Sequence, residues 1–100
     1  MESRTMATYR IDCVHKPKRM SRHEHITDVG GPKPEGGRWR DNVENVVRFI
    51  ENKQHRFYTQ DGNSTAWVAA RKSPSGRKFI QTHADGVWTD NLLALDECST

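Results

Sequence analysis

Little in this chain advertises a purpose. Cysteine occurs only twice in 100 residues, at Cys13 and Cys98, too seldom for a disulfide framework. The longest uninterrupted apolar run, Ala66–Ala70, is five residues, against the roughly 20 that a membrane-spanning helix takes. Residues 1–10 hold two arginines and a glutamate without an apolar stretch, so no secretion signal is expected there. The expected location is the cytoplasm, where the two cysteines would be free thiols. Hydrophobic residues make up 33% of the chain and six of them are alanines, which suffices for one small core and not for two. Neither G-x-G-x-x-G nor G-x-x-x-x-G-K-[ST] is present. No motif brings a nucleophile, a base and an oxyanion site together. The chain is therefore read as non-enzymatic, with no cofactor.

What is present is regular patterning. Asp41 can cap a helix over Asp41–Lys53, with Glu44 three residues on completing a capping-box pattern. Val43, Val46, Val47 and Ile50 follow the i, i+3, i+4, i+7 spacing of one buried stripe, so this helix should lie on a sheet. Behind it, Arg56–Gln60, Thr65–Lys72 and Arg77–His83 read as three strands of an antiparallel meander, parted by turns at Asp61–Asn63 and Ser73–Gly76. Ahead of the helix, Tyr9–Val14 and His25–Val29 are strand candidates. Between and after them, His15–Glu24 and Gly30–Arg40 read as loops, the glycines of the second letting it turn sharply. Asn91–Leu95 reads as a short helical turn. The expected fold is one α+β domain over residues 9–98 in the order β-β-α-β-β-β, one helix on a mostly antiparallel sheet, after a disordered tail at 1–8. Its core would draw on Ile11, Ile26, Val43, Val46, Val47, Ile50, Phe57, Val68, Phe79, Ile80, Leu92 and Leu95, with the order of Phe79 and Ile80 undecided between the two faces.

Charge supplies the functional candidates. The net charge of +3 is uneven: residues 1–40 hold nine Lys/Arg and five Asp/Glu, residues 41–100 seven and eight. Arg71, Lys72, Arg77 and Lys78 stand at the shoulders of one hairpin turn, where cations can follow phosphates. Lys16, Lys18, Arg19 and Arg22 form a second basic group, and Arg38 and Arg40 flank Trp39, an aromatic able to stack on a base or to pin its own loop. Four cations on duplex DNA would give a slope of roughly −3.6 in log affinity against log salt. These residues point to a small binding module for nucleic acid or another polyanion; the plainer reading is that turn cations keep sheet edges soluble. The alternative function is a protein-interaction module, a homodimer or a partner complex, through a sheet edge or an exposed aromatic such as Trp88. A lesser candidate is a metal set of Cys13, His15, His23 and His25, two i, i+2 pairs that a hairpin could bring together. Asp85, Asp90, Asp96 and Glu97 read as turn and cap residues.

Ile26-Thr27-Asp28-Val29-Gly30-Gly31, Arg38-Trp39-Arg40, Ser73-Pro74-Ser75-Gly76-Arg77-Lys78 and Ala84-Asp85-Gly86-Val87-Trp88-Thr89-Asp90-Asn91-Leu92-Leu93, followed by Cys98, resemble a domain-of-unknown-function family of short, stand-alone bacterial proteins. The resemblance spans roughly residues 9–98. It implies a single domain and brings no activity, ligand or site residue with it.

Overall fold

A computed structural model describes residues 7–17 and 22–98, with the side chain of Glu24 excepted. The chain runs β1 (Ala7–Arg10), β2 (Cys13–His15), a 3-10 turn (His23–His25), β3 (Asp28–Pro32), β4 (Arg38–Asn42), α1 (Val43–Glu51), β5 (His55–Asp61), β6 (Ser64–Lys72), β7 (Lys78–Ala84), β8 (Val87–Thr89), a second 3-10 turn (Asn91–Ala94) and β9 (Asp96–Glu97). The strands form two sheets, ordered β1-β5-β6-β7-β8 and β4-β3-β2-β9. Among the described residues one helix and nine strands make a small α+β domain, but the expected order and single sheet understate it. The pairings β1–β5 and β2–β9 are also parallel.

The chain passes between the two sheets three times, from β1 to β2, from β4 through α1 to β5, and from β8 through the second 3-10 turn to β9, and the β1–β2 crossing is the shortest. At its bend the Ile11 N–H donates to the Tyr58 carbonyl of the larger sheet (2.7 Å) and the next N–H, of Asp12, donates to the Gly30 carbonyl of the smaller one (2.9 Å). Successive amides thus serve different sheets, and no backbone donor is wasted at the crossing. The crossing explains Gly30 and Gly31, which lie in β3 and not in a loop. A Cβ on Gly31 would sit 1.8 Å from the Arg10 carbonyl oxygen, and one on Gly30 2.8 Å from that of Trp39. The turn expected of these glycines comes later, at Gly36 and Gly37, whose φ values of 106° and 80° close the β3–β4 hairpin.

The helix forms where its stripe requires, one residue later than the capping pattern suggests. Asn42 is its cap, accepting from the Asn45 N–H at 2.8 Å, while the Asp41 carboxylate accepts from the Asn42 N–H and from Asn45 Nδ2. Val43, Val46 and Val47 bury themselves on β5, β6 and β7 and share a core with Ile11, Val14, Ile26, Val29, Phe57, Val68, Ile80 and Leu92. Ile50 and Leu95 are only half-buried at its border. Ile80 takes the helix side, paired with Ala70, and Phe79 is buried on the opposite face. His25, expected to open a strand, belongs to the first 3-10 turn. Regular structure begins at Ala7, inside the stretch read as a tail; residues 1–6 lie outside the described part. Among the described residues no helix is long and apolar enough to cross a membrane.

The cysteines are not free. Cys13 and Cys98 form a disulfide with their Cα atoms 4.8 Å apart. Their separation of 85 positions is undone by the parallel pairing of β9 on β2, where the Cys98 N–H donates to the Val14 carbonyl at 3.0 Å.

Candidate nucleic-acid-binding face

Register aligns side chains that the sequence keeps far apart. Arg10 pairs with Tyr58, Tyr58 with Trp67, Trp67 with His83, and His83 with Trp88. One row therefore crosses all five strands of the larger sheet, and alternation puts it on the face opposite the helix, at about 4.8 Å per strand. Ring centroids lie 5.7 Å apart for Tyr58 and Trp67 and 5.6 Å apart for His83 and Trp88. Arginines cover two of the rings: Arg56 stands 4.1 Å above Trp67 and Arg71 stands 4.1 Å above Trp88. Such stacks leave most guanidinium N–H groups free to donate.

Among the described residues the remaining outward positions supply no negative charge. They are Thr8, Gln60, Thr65, Ala69, Phe79 and Gln81. Arg71 Nη1 donates to Gln81 Oε1 at 2.7 Å, and Gln81 Nε2 donates to the Thr89 carbonyl at 3.2 Å, so the Arg71–Trp88 stack is braced from both sides. Trp88 is 44% exposed, among the largest apolar exposures in the described chain. The face is thus a row of rings with cations and without carboxylates. Chemically it offers π surfaces for stacking and N–H donors for anionic oxygens.

The residues proposed from sequence divide among several places. At the β6–β7 turn the four cations separate: Arg71 joins the aromatic face, Lys78 turns to the helix side and pairs with Glu51 at 3.0 Å, and Lys72 and Arg77 stay exposed at the tip. Lys16 Nζ donates to the Leu93 carbonyl at 3.2 Å, and Arg22 is exposed beside the first 3-10 turn. Lys18 and Arg19 lie outside the described residues. Trp39 is a half-buried anchor, its ring 5.8 Å from Tyr9 and 5.6 Å from Phe57. Arg38 beside it is tied to Asp12 by two bonds of 3.1 and 2.7 Å. Those bonds and the Asp12 charge hold the guanidinium more firmly protonated than usual.

The metal set does not assemble. Cys13 is spent in the disulfide, His15 pairs with Glu97, and His25 Nδ1 accepts from the Arg22 N–H at 3.2 Å. His23 is buried with its Nε2 4.0 Å from Asp90. In the 3-10 turn His23–His25, of which only His25 was expected in a strand, His23 is buried and His25 exposed, so the two histidines do not share a face. Among the described residues no group of three or more His, Cys, Asp and Glu is placed to hold a metal ion.

Sequence reasoning missed Arg10, Arg56, Tyr58, Trp67 and His83 as a group, and took Trp88 for an isolated aromatic. The available signal was alternation: Tyr58 with Arg56, and Trp67 with Ala69 and Arg71, each on one face of its strand. Alternation gives a face within a strand, whereas the row needs the register between strands.

The fold and this face define a small two-sheet α+β domain presenting a sheet surface of arginines and aromatic rings. The chain belongs to the family described as protein of unknown function, DUF3892, which it matches over residues 10–96. No curated protein and no solved structure matches it.

Proposed function

We propose that this domain is a non-enzymatic binding module for single-stranded nucleic acid, and that the strand lies on the outer face of the larger sheet. The observation that carries this reading is the registered row Arg10–Tyr58–Trp67–His83–Trp88 with Arg56 and Arg71 over its indoles. Unpaired bases stack on aromatic and guanidinium planes irrespective of sequence, and arginines alongside neutralise phosphates. A duplex keeps its bases stacked inside and cannot use such a row. The basic hairpin tip becomes an accessory, since Lys78 is engaged with Glu51 and only Lys72 and Arg77 extend beyond the face.

The test is fluorescence anisotropy of labelled single- and double-stranded DNA and RNA oligonucleotides at 50 and 200 mM salt. Single strands bind more tightly than duplexes, with tryptophan quenching. If Arg10, Arg56 and Arg71 each meet one phosphate, log affinity falls against log salt with a slope of about −2. Trp67→Ala or Trp88→Ala weakens binding roughly 5- to 150-fold, the equivalent of about 1–3 kcal/mol per stacked base. Absence of single-strand binding at the lower salt overturns the reading.

A second reading has its own support. Val87 is 63% exposed beside Trp88 on the short edge strand β8, and tryptophan, tyrosine and arginine are the residues that anchor protein interfaces. Sedimentation separates the two: self-association that Trp88→Ala abolishes, weakly dependent on salt, favours a protein partner.

A further inference from the structure

The disulfide lies at the edge of the smaller sheet, where it lines the floor of a solvent-open cavity of about 540 Å³ together with Arg38 and Asp12, Cys13 being 7% and Cys98 4% exposed. Its two sulfurs have different surroundings. Arg38 Nη2 lies 3.6 Å from Cys13 Sγ, and the guanidinium is fixed there by its two bonds to Asp12. On the other side the bridge rests on Gly30, where a Cβ would come within 3.1 Å of Cys13 Sγ and 3.6 Å of Cys98 Sγ. A disulfide beside a held cation is polarised: the sulfur next to the charge is the better leaving group, because its thiolate is stabilised there.

We propose that the Cys13–Cys98 bridge is a thiol–disulfide exchange site, at which a low-molecular-weight thiolate attacks Cys98 and Cys13 departs as a thiolate beside Arg38. In the first step the incoming thiolate forms a bond to Cys98 Sγ, the Sγ–Sγ bond breaks, and its electron pair stays on Cys13. A second thiolate then attacks the sulfur of the first, releasing Cys98 as a thiolate that takes a proton from water. Two small thiols become one small disulfide, and the bridge becomes two cysteines.

The cavity also indicates the kind of thiol. Asp12, Asp96 and Glu97 line it against Arg38 and Arg40, an excess of one negative charge, which favours a cationic thiol such as cysteamine over anionic glutathione. The consequence is local. The last described residues lose their covalent hold and keep a two-residue strand, the His15–Glu97 pair and the amide of Cys98 on Val14.

The experiment treats the oxidised, folded protein briefly with cysteamine, quenches with acid, and maps the adduct by peptide mass spectrometry. The adduct is expected on Cys98 with Cys13 free. An adduct on Cys13, equal labelling of both, or a bridge that survives prolonged excess cysteamine overturns the proposal. Arg38→Gln, with its bridge intact and its circular dichroism unchanged, should slow exchange and erase the preference for Cys98, while Arg40→Gln should do neither. An Arg38→Gln protein that keeps both rate and preference refutes the role given to the guanidinium.

Discussion

At Gly31 a single missing side chain permits the whole architecture. The Arg10 carbonyl occupies the place where its Cβ would be, 1.8 Å away, and Arg10 leads directly into the Ile11–Asp12 bend that joins the two sheets. Backbone cannot yield as a flexible side-chain tip can, so Gly31→Ala should cost more than about 3 kcal/mol, a large share of the roughly 5–15 kcal/mol that holds a domain folded. Urea denaturation followed by circular dichroism measures this. Gly62→Ala is the control: it has the ordinary strain of a left-handed turn residue (φ 61°) with nothing within 4 Å of its Cβ, and it should cost about 1 kcal/mol. Equal losses at the two sites would mean that Gly31 matters for its backbone freedom and not for the close approach. Among the cations a similar contrast holds. Arg71→Gln removes the cover of Trp88 and should weaken oligonucleotide binding, whereas Lys78→Gln, whose ammonium is taken up by Glu51, should leave it nearly unchanged in the same anisotropy titration.

Among the elements, those that carry periodicity could be read directly. The α1 stripe of Val43, Val46 and Val47 and the β5–β6–β7 meander follow from spacing and turn residues, because each buries one face against the other. The β3–β4 hairpin could not be read, since Gly30, Gly31 and Pro32 are poor strand formers whose presence is explained only by the backbone crossing over them. The helix start was displaced for a local reason: Asp41 and Asn42 can both cap, and Asn42 is held extended as the last residue of β4, opposite Asp28, so the helix cannot begin before Val43. Asn42→Ala should therefore destabilise the domain by about 1 kcal/mol in urea melts. Val47→Asp puts a carboxylate into a position that is only 4% exposed beneath the sheet and should prevent folding. A folded Val47→Asp protein would contradict the helix face.

The whole molecule is where sequence reading ran out. Tyr58, Trp67, His83 and Trp88 come from four strands, and Cys13 and Cys98 from opposite ends of the chain; both groupings exist only once register and sheet order are set. Their separation in the fold yields a sharp prediction. The bridge closes a loop of 85 positions, and in the chain-entropy picture it destabilises the unfolded state by about 4–5 kcal/mol. Cys98→Ser should lower the urea midpoint accordingly, even though it alters only the edge of the smaller sheet. The five strands carrying the aromatic row contain neither cysteine, and their cross-strand bonds do not pass through β2 or β9. Below its lowered midpoint, Cys98→Ser should therefore bind single-stranded oligonucleotides with unchanged affinity. Should affinity fall along with stability in folded Cys98→Ser, the bend at Ile11–Asp12 couples the sheets, and exchange at the bridge would govern the binding face as well as the tail.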